Sequence, residues 1–225
     1  MAAIAQARSH GGGMVGEIAA HSERDGALLS DADAGVELIN VLRPTVAVGR
    51  FIVFAALALH RHPHWRERVA QASAGDLQNF VDEVRRFYPF FPVVGGRAHR
   101  RFDWQGRDFF PGDWVLLDLY ATNHDERIWS EPNRFRPERF EGWSGDRNSL
   151  IPQGAGYISD GHRCPGELAT VELMKEATLI LASRLDYTVP EQDLRVSLRG
   201  FPALPRSRFV MSGVRRLPAS SPMSR

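Results

Sequence analysis

The sequence predicts a mainly helical protein with small β-sheets, and three apolar patterns predict the helices. From Ala34 to His60 the chain is apolar nearly all round, through Val36, Leu38, Ile39, Val41, Leu42, Val46, Val48, Phe51, Ile52, Phe54, Leu57 and Leu59. A stretch of that length and evenness describes a helix buried inside a protein. Leu77, Phe80, Val81, Val84, Phe87 and Tyr88 then recur at i, i+3, i+4, i+7 spacing, an amphipathic helix that Asp76 can cap. Leu168 to Leu185 carries a third stripe, formed by Val171, Leu173, Met174, Ala177, Ile180 and Leu181.

The sheets are signalled between and after these helices. Alternation at Phe102 and Trp104, turns near Gln105-Gly106 and Pro111-Gly112-Asp113, and the apolar run Trp114 to Tyr120 predict a three-stranded meander. From Tyr187 to Arg215 weak alternation broken by prolines fits short edge strands. Met1 to Asp33 has a Gly11-Gly12-Gly13 run and little periodicity, so poor order is expected over residues 1–33 and a domain over 34–225.

Composition excludes several functions. A formal net charge of +1 over 225 residues argues against a nucleic-acid partner. One cysteine excludes an intramolecular disulfide and suits a reducing compartment. Met1 to Gly16 has no apolar signal core, and Val46 to Leu59 is too short for a membrane span and interrupted by Arg50. A cytoplasmic protein without a transmembrane segment is expected. Zinc-type Cys/His spacings and phosphate-binding glycine loops do not occur in the sequence.

The chemistry concentrates around Cys164. Its stretch, Ile151-Pro-Gln-Gly-Ala-Gly-Tyr-Ile-Ser-Asp-Gly-His-Arg-Cys164-Pro-Gly-Glu167, is rich in glycine and proline and is followed directly by a helix. A cysteine at a loop-to-helix junction, beside His162 and Arg163, favours the thiolate, the form that binds metal or attacks electrophiles. A lone cysteine is more often a small buried hydrophobe. Gly166 allows something flat or bulky to approach the backbone.

Other motifs stand in order before it. Glu83-Val-Arg-Arg86 sets Glu83 and Arg86 three residues apart on one helix face, which alone would be an ordinary surface ion pair. Pro137-Glu-Arg139-Phe140 follows, then Gly161-His-Arg-Cys-Pro-Gly-Glu167. Together these resemble the Glu-x-x-Arg, Pro-Glu-Arg-Phe and haem-loop motifs of the cytochrome P450 superfamily. The resemblance implies the C-terminal half of the haem-thiolate fold, since that fold is roughly twice this length. It implies haem b with Cys164 as axial ligand, a buried triad of Glu83, Arg86 and Arg139, and propionate contacts from His162 and Arg97. Two departures stand out: Tyr157 occupies the loop's usual phenylalanine position, and its glycines come earlier, at Gly154 and Gly156.

Arg43 and Pro44 interrupt the long apolar helix, where the monooxygenases of the family carry an acid-alcohol pair. Arg-Pro there resembles the fatty-acid-hydroxylating peroxygenase branch, as do Phe87-Tyr-Pro-Phe90 and Asn123-His-Asp125. That branch implies hydroxylation of long-chain fatty acids near the carboxyl group by hydrogen peroxide, with no redox partner. Arg43 would hold the carboxylate, which supplies the missing acid-base group. Phe90, Val93 and Val94 would line the acyl channel. A reductase-dependent monooxygenase and a truncated, non-catalytic remnant are the alternatives, with a thiol peroxidase disfavoured by the lack of a resolving cysteine.

Overall fold

The computed structural model describes residues 2–218, and the chain divides after Gly49 into two compact units, Met1–Gly49 and Arg50–Arg225. The fold is mainly helical with small antiparallel sheets.

The first unit contains α1 (Ala2–His10), α2 (Gly13–Ala19) and the beginning of α3 (Asp31–Arg61). Ile4, Ala19 and Ala34 form its buried centre, with Val15, Ile18 and Leu38 packed around them. Arg8 ties the ends together through the Ala19 carbonyl and the Asp31 carboxylate. Ala2–His10 and Gly13–Ala19 are helical within the stretch where little periodicity is legible in the sequence. Alanine is the strongest helix former, and a few apolar contacts suffice where the intrinsic cost of helix is this low.

α3 corrects an expectation. It is helical from Asp31 to Arg61 without interruption, although Pro44 has no N–H to offer the Asn40 carbonyl. Thr45 Oγ1 donates to the Val41 carbonyl at 2.9 Å in the same turn. Its first half is not buried: Val36, Ile39, Leu42 and Val46, on one face, are exposed, Val46 by 76%. Phe51, Phe54, Leu57 and Leu59, later in the helix, are buried. The helix has the length and the mean hydropathy, 1.7, of a membrane span. The expectation that no segment has the length of a span is corrected, while the later half packs as a core helix does.

In the second unit, α4 (Pro63–Ala70), α5 (Ala74–Phe87) and α7 (Glu167–Leu179) join that later half of α3. Phe54 stacks on Tyr88, and Trp65 leans on Phe80. Ser73, not Asp76, caps α5: Ser73 Oγ accepts from Asp76 N at 3.2 Å, and Asp76 Oδ2 accepts from Ser73 Oγ at 2.7 Å. The pair is a Ser-x-x-Asp variant of the capping box, with Asp76 its third helical residue. A π-helical turn over Ile180–Arg184 ends the last helix before the residue expected.

The expected meander is two nested antiparallel pairs. β1 (Val93–Arg97) pairs with β4 (Trp114–Asp118), and β2 (Phe102–Trp104) pairs with β3 (Arg107–Phe109) inside them. Gln105 and Gly106 both have positive φ, as a two-residue hairpin turn of this twist requires. The run to Tyr120 leaves the strand early, because Asp118 Oδ1 accepts from Ala121 N and starts α6 (Leu119–Asn123). β5 (Leu185–Thr188) and β6 (Ser212–Arg216) form the last pair.

Candidate active site

Cys164 ends an irregular loop and stands just before α7. Its N–H donates to the Gln153 carbonyl at 2.9 Å, and its carbonyl accepts from Glu167 N at 3.2 Å. The loop closes on itself where His162 N donates to the Ala155 carbonyl. Only glycine fits at 154: φ is +98°, and a Cβ would sit 1.9 Å from the His162 carbonyl oxygen. The shift of glycines toward the start of the loop thus has a steric cause.

The thiol is free and half-buried. A Cβ at Gly166 would meet only Cys164 Sγ, at 3.8 Å, so the glycine keeps the space beside the sulfur clear. Tyr157 and Ile158 in the preceding loop and Leu168 in the first turn of α7 are exposed. Among the described residues, no group of three or more His, Cys, Asp or Glu could hold a metal ion. A single soft donor with clear space beside it fits a metal that brings its own equatorial ligands, as haem iron does. His162 is exposed. Arg97 stacks over Trp114 and donates to the Gly112 carbonyl, which leaves further guanidinium N–H groups for an anion.

The three charged residues expected as a triad are together. Arg86 grips Glu83 with two N–H groups, Nε to Oε2 at 2.7 Å and Nη2 to Oε1 at 2.8 Å, and both side chains are 0% exposed. Arg139 Nε lies 3.0 Å from Glu83 Oε2, an attraction that is coulombic, since that N–H does not point along a hydrogen bond. Burial pulls the Arg139 guanidinium below its ordinary value, and the Glu83 charge opposes that shift. Arg139 also donates to the Ser130 and Arg134 carbonyls, and Arg136 N donates to Glu83 Oε1 at 2.7 Å. Glu83→Gln removes the charge that two buried cations face. It should cost about 3–5 kcal/mol in denaturant unfolding, whereas a surface pair would cost about 1 kcal/mol or less.

Arg43 and Pro44 lie in the first unit, on the exposed part of α3. Burial therefore does not force an anion onto Arg43, contrary to expectation; no acidic partner for it occurs among the described residues. Phe90 is buried and stacks on Phe51 at 4.3 Å. Val93 and Val94 stand in β1, half-buried and exposed.

The family model for cytochrome P450 matches residues 76–204, more than half of the chain. The chain belongs to the cytochrome P450 family. Among solved structures, cytochrome P450SP alpha (CYP152B1) in complex with (R)-ibuprophen is 46% identical with a TM-score of 0.85, covering 95% of this chain and 54% of that one. Cytochrome P450EX alpha (CYP152N1) with myristic acid is 38% identical with a TM-score of 0.80, covering 96% and 56%. A variant of cytochrome P450 OleT in complex with arachidonic acid is 37% identical with a TM-score of 0.84, covering 98% and 53%. The flavonoid-6-hydroxylase of Ocimum basilicum is 33% identical over 139 residues, 56% of this chain and 24% of that protein. The chain thus spans about half the length of the solved P450 structures it matches.

Within this P450 fold, Asn123 joins the triad to the cysteine loop. Its carbonyl accepts from Arg86 Nη1 at 2.7 Å, and its side-chain Oδ1 accepts from Ile151 N at 2.9 Å. Sequence reasoning noted the Asn123-His-Asp125 motif without assigning this role. Next to it, His124 lies against the Tyr120 ring, tilted by 31°, and donates Nδ1–H to the Tyr120 carbonyl. Burial pushes its pKa down from 6.5 to about 4. Between those values the unfolded chain takes up a proton that the folded chain refuses, so stability falls as pH falls from about 6.5 to about 4. His124→Gln should flatten that part of the stability–pH curve; an unchanged slope would contradict the burial of a neutral ring.

Proposed function

We propose that this chain carries the thiolate ligand and the carboxylate anchor of a haem-dependent peroxygenase that hydroxylates long-chain fatty acids near the carboxyl group with hydrogen peroxide. The observation that carries the reading is Arg43-Pro44 on the central helix of a P450 chain, where a monooxygenase needs an acid-alcohol pair. Two of the similar P450 structures hold fatty acids, myristic and arachidonic, which supports the substrate class.

Cys164 would hold the iron through its thiolate, His162 and Arg97 would receive the propionates, and Gly166 would leave room beside the sulfur. Haem bound there supplies the iron at which peroxide is activated for C–H hydroxylation. The guanidinium of Arg43 binds the fatty-acid carboxylate through paired N–H···O contacts. That carboxylate then serves as the acid-base group, taking and returning a proton at its own oxygen. Pro44, the residue after the anchor, leaves the Asn40 carbonyl without its helical N–H, and Glu83, Arg86 and Arg139 hold the elements that flank the cysteine loop. Because the substrate brings the proton carrier and peroxide brings both oxidising equivalents, no reductase is needed.

One observation favours a second reading. The exposed stripe Val36, Ile39, Leu42 and Val46 is what a non-catalytic remnant of the fold would show. A visible spectrum of the purified chain, reduced under carbon monoxide, separates the two. Thiolate-type absorption supports the peroxygenase, and a soluble, folded chain with no Soret band supports the remnant.

A further inference from the structure

Two adjacent arginines on α5 go to different places. Arg86 enters the Glu83 cluster, whereas Arg85, 2% exposed, points to α7 and has no part in that cluster. Its Nη1 donates to Asp82 Oδ1 at 2.7 Å, and its Nη2 donates to the carboxylate of Glu167. Glu167 is itself 6% exposed and is the first residue of α7, three after Cys164. The same carboxylate takes a second cation: Arg163 Nε is 2.5 Å from Glu167 Oε2, and its Nη2 is 3.0 Å from Oε1. Arg163 also donates to the Arg147 carbonyl. The residue before Cys164 and the residue three after it are therefore clamped to one another and to α5.

The clamp adds to the loop's own backbone bonds, among them His162 N on the Ala155 carbonyl and Gly161 N on the Tyr157 carbonyl. Tyr157 to Gly161 are exposed, and glycines at 154, 156, 161 and 166 leave the backbone free to move unless its ends are held. One end is held by Cys164 N on the Gln153 carbonyl. At the other, Glu167 N donates to the Cys164 carbonyl, so the position of Glu167 sets the position of the cysteine backbone. We propose that Arg85 and Glu167 are positioning residues for Cys164, the buried ion pair fixing the junction that presents the thiol. The purpose of that placement rests on the thiolate-ligand reading; the test does not.

Cys164 is the only thiol, so alkylation of the haem-free chain by iodoacetamide reports on it alone. Glu167→Gln and Arg85→Met should each raise the labelling rate at least about fivefold, because local opening of the junction becomes more frequent. Arg85→Lys, which keeps the cation, should fall nearer the parent rate. Val69→Ala, a core truncation on α4, should lower the melting temperature without a matching rise in labelling. Labelling of Glu167→Gln at the parent rate would overturn the proposal, as would an equal rise in Val69→Ala for an equal loss of melting temperature. Should Glu167→Gln fail to fold, hydrogen exchange in the parent decides. Protection of the Cys164 and Glu167 amides comparable to that of Val84 supports the clamp, and exchange as fast as at Ser159 overturns it. Because labelling and exchange need no haem, a chain that binds none still gives a result.

Discussion

Cys164→Ala should abolish thiolate-type haem absorption. No other residue can supply a thiolate, since the chain has one cysteine, and a histidine in its place would give a different absorption. The substitution is sterically mild. The sulfur is half-buried, the backbone bonds to Gln153 and Glu167 do not involve the side chain, and the loop has no contact that depends on a thiol. The variant should therefore melt within about 1 kcal/mol of the parent, as substitutions away from core packing generally do. The spectral loss thus reports ligation rather than unfolding. An unchanged Soret band in Cys164→Ala would remove the cysteine from the site.

On the proposed reading, Arg43→Ala should lose peroxide-driven fatty-acid hydroxylation while haem binding survives. The fall in turnover should be roughly a hundredfold or more, the range for a lost acid-base group. Two contributions combine in that figure. The carboxylate loses its paired N–H donors, and the proton carrier it represents is no longer held in place. No side chain of the described protein is paired with Arg43, so the substitution leaves no orphaned acid behind. Its exposure on α3 also means that truncation creates no cavity. Haem absorption equal to the parent's, with turnover lost, is the expected pattern; turnover equal to the parent's would promote the reductase-dependent alternative.

What could be read from residue order alone was local or carried by motif. Glu83 and Arg86 are one helical turn apart, so their contact follows from helix geometry, and the Pro-Glu-Arg-Phe segment supplied Arg139. The Cys164 loop was legible because its glycines and prolines exclude regular structure and the α7 stripe starts directly after it. Arg85 and Glu167 were not legible. They meet across 82 residues, and nothing in their spacing distinguishes a buried pair from two solvated charges. The exposure of the first half of α3 was hidden for the opposite reason: an apolar sequence shows what a helix can bury, and burial itself depends on neighbours elsewhere in the fold. The helices within residues 1–33 were missed because alanine-rich segments carry high propensity and little periodic signal. β1 carries little strand signal of its own, because two valines followed by two glycines make a weak strand until β4 pairs with them.

The most direct test of the peroxygenase assignment is turnover of a long-chain fatty acid with hydrogen peroxide alone, in a polypeptide that also carries the preceding half of the P450 fold. Hydroxylated product in the absence of any reductase or nicotinamide, with hydroxyl near the carboxyl group, is the predicted result. Strict dependence on a reductase, with peroxide inert, would contradict it.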